Sequence, residues 1–357
     1  MTDTSATNCM DPSAVASTVR CERESQVDVS IVIPTLGRER VLVETLQSLL
    51  RLASAADELL VIDQSAAHDA ETDERLSAWH ASGSIRWIRL TPPSITRAMN
   101  HGLRQARSPL VLFLDDDIRP HPNLVASHRR AHCQSRQLWA TVGQVIQPWQ
   151  RAECLDPPRK RTGLRLDEDF PFHSTREMPV HNVMAGNLCV NRDRALALGG
   201  FDEQFQGAAF RFETEFARRL EKAGGEIRFL GDAGIDHLRV AKGGTRTAGS
   251  HLTSASPLHG VGDHYYAMLH AATRSEARSY CFRRIVREVR TRFHLTHPWW
   301  IPVKLVGEIR AYRLAKLLVR NRFSGDARIP DRILSGTAKL DHAPEHPLQT
   351  LGGNGCQ

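Results

Sequence analysis

Four short apolar runs recur near the start of the chain: Val29–Pro34 (VSIVIP), Glu58–Asp63 (ELLVID), Ser84–Leu90 (SIRWIRL) and Pro109–Leu114 (PLVLFL). Their length and their content of Val and Ile read as strands, and the stretches between them, Val41–Leu52, Glu71–His80 and Thr96–Ala106, have helical spacing. Alternation of this kind leaves few folds open. Parallel neighbours need a helical crossover, so the pattern predicts βαβ units and an α/β protein with a mostly parallel central sheet. In open sheets of this type ligands gather beyond the carboxyl ends of the strands. Those ends carry Pro34 and Thr35, then Asp63, Gln64 and Ser65, then Asp115, Asp116 and Asp117, and all of them are expected to line one crevice.

The triple Asp carries the most chemistry. Adjacent carboxylates at the end of a buried strand raise one another's pKa, and a divalent cation is the partner that lets all three stay ionised. Oxygen ligands favour Mg²⁺ or Mn²⁺ over zinc, and Mg²⁺ commonly shares itself with substrate phosphates. Taken alone, the triplet reads equally well as a solvated acidic turn. Strand alternation puts Asp115 and Asp117 on one face and Asp116 on the other.

Composition narrows the class. With 357 residues and 41% hydrophobic content the chain can bury one large core or two smaller ones. Its seven cysteines are scattered and never spaced as CxxC, which argues against a disulfide framework or a zinc site and fits a reducing cytoplasm. No stretch approaches the ~18 apolar residues of a membrane span, and no basic-then-apolar leader opens the chain. Residues Met1–Asp28 are polar and aperiodic and are expected to form a flexible leader, and residues 324–357 a flexible tail. Gln150–Met178 reads as a long surface loop able to order over substrate.

The formal charge of +7 is concentrated late in the sequence. Arg278–Arg322 holds twelve Lys/Arg against two Glu, a net +10 that leaves about −3 for the remainder. Two basic helical stretches there, separated by Pro298 and the Trp299-Trp300 pair, resemble an interfacial membrane segment. The competing expectation is amphipathic helices packed on the domain with a solvated Arg face. Aromatic content of 6% and the lack of a recognition motif argue against a nucleic-acid partner.

Four segments, taken in order, resemble the inverting family-2 glycosyltransferases of GT-A fold: VSIVIPTLGRERVLVETLQSLL, VIDQS, RAMNHGLRQA followed by FLDDD, and AGNLCVNRDRALALGGFDEQF leading to FETEFARRLEKAG and IDH. The resemblance spans roughly Val29–Arg246. It implies a Rossmann-like nucleotide-binding half (29–133) fused to an acceptor-binding half (134–246), followed by a basic helical extension (247–323). It also implies a nucleotide-diphosphate sugar donor, a glycan or lipid-linked acceptor, and Mg²⁺ or Mn²⁺.

Residue by residue, the resemblance assigns Pro34, Thr35, Asp63, Arg97, Asp115, Asp116, Gly186 and Asn187 to the donor, and Asp115, Asp117 and His237 to the metal. Asn100 is expected to stabilise the crevice. The family's usual Glu-Asp is here Phe212-Glu213, so Glu213 is the expected general base, with Glu215 and Asp202 as acceptor contacts or support. The implied location is cytoplasmic, with an anionic leaflet at the inner face of the plasma membrane as a further partner. Two other readings compete: a non-catalytic nucleotide-sugar-binding protein, and a Mg²⁺-dependent phosphohydrolase, against which Arg119 stands where DxDx[TV] needs Thr or Val.

Overall fold

The computed structural model describes residues 27–157, 162–165, 171–205, 207, 209–240, 243–244 and 250–324. Apart from Val27, Asp28 and Ser324, the expected leader and tail lie outside the described residues. Val27 packs against a core cluster, and the carbonyl of Asp28 accepts from Leu110 N–H.

The first half alternates as the sequence predicts: β1 (Val29–Thr35), α1 (Arg40–Leu50), β2 (Glu58–Asp63), α2 (Ala70–Ala81), β3 (Arg86–Arg89), α3 (Ile95–Gln105) and β4 (Leu110–Leu114). Asp69 caps α2 by accepting from Thr72 N–H, and Ser94 caps α3 at Arg97 N–H, which fixes where each crossover turns into helix. Beyond them come β5 (Ile118–Pro120), α4 (Leu124–Gln134), β6 (Leu138–Ile146), β7 (Met178–Pro179), β8 (Asn187–Asn191), α5 (Arg192–Ala197), α6 (Phe212–Lys222) and β9 (Glu226–His237). The sheet runs β3-β2-β1-β4-β8-β6-β9-β5, with β7 paired to β9. β1 to β4 pair in parallel, β8 runs against both β4 and β6, and β9 is parallel to β6.

Both faces of the sheet are covered, and strand alternation sorts the side chains between them. Ile31 and Ile33 of β1 and Leu112 of β4 meet α1, α2 and α4, while Val32 and Phe113 meet α3 and α6. The extension consists of α7 (Val261–His270), α8 (Arg274–Val289), α9 (Arg292–Thr296) and α10 (Ile301–Ser324). It shares the second of these cores: Tyr265 and Tyr266 of α7 and Ala311, Ala315 and Leu318 of α10 cluster with Phe201, Phe205 and Phe216. Full burial of each large side chain contributes ~1.5–3 kcal/mol.

Most of the extension's basic side chains are exposed, as the packed-helix expectation has it, but two are buried. Arg284 and Lys304 are inside, and Arg284 pairs with Asp263 and, at 3.2 Å, with Glu308. Lys304 bridges Glu308 at 3.0 Å and Glu288 at 3.3 Å. The exposed stripe of α10 is mixed, with Leu305, Val306, Ile309 and Leu317 alongside Arg313, Lys316 and Arg320. No helix among the described residues is long and apolar enough to cross a membrane.

Candidate active site

Asp115, Asp116 and Asp117 lie between β4 and β5, outside either strand, so the expected alternation does not sort them. Asp115 keeps 47% of its side chain exposed, while Asp116 and Asp117 are buried. Arg38, from the turn after β1, reaches both buried members: its Nε lies 3.1 Å from Asp116 Oδ1 and its Nη2 3.1 Å from Asp117 Oδ2. Thr35 Oγ1 donates to Asp116 Oδ2 at 2.7 Å. Burial drives the Asp116 pKa up to about 6, against the pull of Arg38 and Thr35. Asp116 therefore serves to tie the first and fourth strand ends together, and its expected place on the donor is corrected: both of its oxygens face protein donors.

Arg38 did not figure among the expected site residues. The signal for it was indirect, since three clustered carboxylates need a counter-charge, and part of that charge is supplied by the protein. Asp115 and the second oxygen of Asp117, Oδ1, both face a histidine. The pairing of β5 with β9 sets His237 opposite Ile118, directly after the triplet. His237 Nε2 lies 3.2 Å from Asp117 Oδ1 and 3.7 Å from Asp115 Oδ2, and its Nδ1 faces Gln147 Oε1 at 3.1 Å. With Nδ1–H donating to Gln147, Nε2 turns towards two carboxylates, a meeting that calls for a proton or a cation between them. Burial would raise the Asp117 carboxyl, but hydrogen bonds from His237 and from Val240 N–H hold it below its ordinary value. Two acid oxygens and one imidazole are donor types that Mg²⁺ or Mn²⁺ accept, with further positions left to water and phosphate. As they stand, no three or more His, Cys, Asp or Glu side chains among the described residues are placed to hold a metal ion.

Glu213 approaches from the other side. It is the second residue of α6, and its Oε1 accepts from Ala185 N–H at 2.6 Å. The next residue, Gly186, accepts from Asp115 N–H at 3.3 Å, and a Cβ at 186 would run into the Asp115 carboxylate. Asp115 and Glu213 thus border the same two-residue segment.

Other expected residues sit elsewhere. Asn187, one step beyond Gly186, points to the opposite face: it is fully buried, accepts from His128 at 3.0 Å, and donates to the carbonyls of Gln144 and Ala233. Its expected donor contact is corrected by the alternation of β8. Asp63 is buried, with Ser65 N–H on one oxygen and His68 Nε2 and Trp87 Nε1 on the other, so it organises the end of β2 instead of presenting a carboxylate. Arg97 folds back on the carbonyls of Thr91 and Pro92. Pro34 lies next to Thr35 at the crevice end of β1.

Glu215 and Asp202 are supports. Burial opposes ionisation of Glu215, yet His270 at 3.6 Å and a bidentate Arg219 keep its carboxyl below the usual range. Asp202 accepts from Tyr265 Oη at 2.9 Å and from Arg322 at the end of α10. Asn100 stabilises the crevice wall as expected, donating to the Phe201 carbonyl and accepting from Phe201 N–H. Arg119 is exposed on β5.

Residues 30–168 match the sequence model of the family described as Glycosyl transferase family 2. No curated protein matches the chain. Among solved structures, the chain is similar to S. aureus TarS 1-349, at 14% identity and a TM-score of 0.52 over 84% of this chain and 88% of that one. A mannosyltransferase, PcManGT from Pyrobaculum calidifontis in complex with GDP-Man and Mn²⁺, matches at 16% identity and a TM-score of 0.46, covering 91% of both chains. GalNAc-T7 with UDP, GalNAc and Mn²⁺ matches at 18% identity and 0.48, over 60% of this chain and 43% of that one.

Proposed function

We propose that this chain, a glycosyltransferase of family 2, moves a sugar with inversion from a nucleoside diphosphate to a hydroxyl of a glycan or lipid-linked acceptor, with Glu213 as general base. The observation that carries the reading is the shared Ala185–Gly186 segment, which sets the acid cluster on one side and Glu213 on the other. The two groups meet the two needs of the reaction.

Asp115, Asp117 and His237 would hold Mg²⁺ or Mn²⁺, which when bound offsets charge building on the leaving diphosphate. Thr35 and Arg38 fix Asp116 and Asp117, so the acidic turn is shaped before donor arrives. Pro34 and Gly186 leave room for the donor against the turn. Glu213 takes the proton from the acceptor hydroxyl as its oxygen bonds to the anomeric carbon. The bond from that carbon to the diphosphate breaks on the opposite face, and its electron pair leaves with the nucleoside diphosphate. No covalent sugar–enzyme bond is needed.

Glu213→Gln tests the assignment, with nucleoside diphosphate release followed on a panel of UDP- and GDP-sugars with Mn²⁺. Turnover is expected to fall about 10²- to 10⁴-fold while donor affinity holds. Wild-type turnover in the variant excludes Glu213 as base.

The exposed α10 stripe supports a peripheral place on an anionic leaflet, and with it a cytoplasmic location. Apolar side chains beside Arg313, Lys316 and Arg320 are the composition of a helix lying in a membrane interface. Flotation of the full chain with anionic and neutral liposomes, against Leu305→Asp with Val306→Asp, checks this. Anionic-selective flotation lost in the variant is expected; equal behaviour of the two proteins contradicts it. Deleting the extension is not the right comparison, because its helices complete the core.

A further inference from the structure

The turn that leads into α6 is unusual. Ala209 and Arg211 both have positive φ, 48° and 77°, although neither is glycine, and Arg211 is the residue from which α6 starts, two before Glu213. Such conformations cost energy for residues bearing a Cβ and persist where surroundings enforce them. Here the surroundings are the C-terminal helices. Arg211 Nε lies 3.0 Å from Asp263 Oδ1, and its Nη2 donates to Tyr280 Oη at 3.1 Å. Tyr280 in turn donates to Asp263 Oδ1 at 3.1 Å, and Arg284 pairs with the other oxygen. Asp263 has no exposed surface. The Arg211 guanidinium also lies 5.3 Å over the Tyr266 ring. Beside this cluster Gly262 faces the Phe210 carbonyl so closely that a Cβ would collide with it. The opening of α7 is therefore moulded to the turn.

We infer that the extension positions the general base: Asp263, with Tyr280 and Gly262, clamps Arg211 in its left-handed conformation and so fixes the first turn of α6, from which Glu213 reaches the Ala185–Gly186 segment. Asp263 and Tyr280 act as positioning residues, through Arg211. The inference rests on the reading of Glu213 as base. Two backbone bonds carry the coupling, from Phe212 N–H to Ala209 and from Glu215 N–H to Arg211. The extension thereby contributes to the chemistry as well as to the core.

The test uses the full chain with Mn²⁺ and the UDP- and GDP-sugar panel. Asp263→Asn is expected to lower kcat for nucleoside diphosphate release by about 10- to 100-fold, the scale of a misplaced catalytic group, with the donor KM within twofold of wild type. In a Glu213→Gln background the same change should lower residual turnover no further, since its effect passes through the missing carboxylate. A general loss of folding would instead reduce both backgrounds alike. Tyr280→Phe, which keeps the ion pair, is the milder variant, with about a threefold loss in kcat. Amide hydrogen exchange gives a readout independent of activity: protection of residues 211–216 should drop in both variants while that of α2 stays unchanged. Unchanged kcat in folded Asp263→Asn, losses that multiply with Glu213→Gln, or unchanged exchange at 211–216 overturns the inference. Failure of the base itself shows separately, as full turnover by Glu213→Gln alone.

Discussion

Two acidic clusters in this molecule are built to opposite ends. Around Asp263, Glu288 and Glu308 each carboxylate meets Arg or Lys from a neighbouring helix, and the whole group is sealed by α7, α8 and α10. After β4 the cluster stays half open. Arg38 covers Asp116 and one oxygen of Asp117, while half-exposed Asp115 and the other Asp117 oxygen face His237. The fully paired cluster holds the helices, and through Arg211 the turn before Glu213, because removing any member strands a charge in the core. The cluster after β4 is half open and faces an imidazole instead, and we read that difference as the one between scaffold and site.

The widest gap between the clusters should appear on cutting each once. Arg284→Ala leaves Asp263 and Glu308 buried without their shared partner and should cost ~3–5 kcal/mol in urea unfolding. Asp115→Asn removes one of three crowded acids at a half-open position, so its unfolding midpoint should stay within ~0.5 kcal/mol of wild type while turnover falls. A similar stability loss in both variants would erase the contrast.

Acid should act next most strongly, and on the extension. Burial alone would raise the Glu308 carboxyl, but His264, Arg284 and Lys304 take it down to about 2. A carboxylate depressed in the folded state stabilises fully above its unfolded value of about 4.5, and that stability is lost as pH falls towards 2. The contribution is on the order of 3 kcal/mol. Unfolding midpoints at pH 7 and pH 3 should therefore differ less in Glu308→Gln than in wild type.

Asn187 and Gly186 give a finer test, because adjacent residues of one segment face opposite ways. Asn187→Ala should cost ~1–3 kcal/mol by leaving His128 and two carbonyls unmatched, with donor affinity kept. Gly186→Ala should do the reverse, weakening donor binding through the Asp115 carboxylate at little cost in stability.

The same pair shows what the sequence could and could not disclose. The parallel half was legible because its strands are buried on both faces and announce themselves as apolar runs, and their polar ends marked the crevice. Gly186 and Asn187 were expected together at the donor, although Asn187 opens β8 and its side chain turns into the core. Arg38 and the partners of Asp63 were hidden for another reason: a lone Arg, His or Trp in a loop has no period, and its partner is set by tertiary approach. The extension's helices were legible from spacing, but the burial of Arg284 and Lys304 was not. Their acidic partners lie on other helices or one turn away, where an amphipathic pattern is silent. Glu213 came only from the resemblance to a family motif, and its neighbour Ala185 only from the fold.

The contrast between the clusters reduces to whether the crevice takes a cation that the extension cannot. Mn²⁺ binding by calorimetry, with UDP and with GDP, measured on wild type, Asp117→Asn and Glu308→Gln at neutral pH, tests this most directly. One equivalent of Mn²⁺ bound by wild type and by folded Glu308→Gln, and none by Asp117→Asn, is the predicted result. No Mn²⁺ bound by wild type with either nucleotide, or undiminished binding by Asp117→Asn, would contradict it.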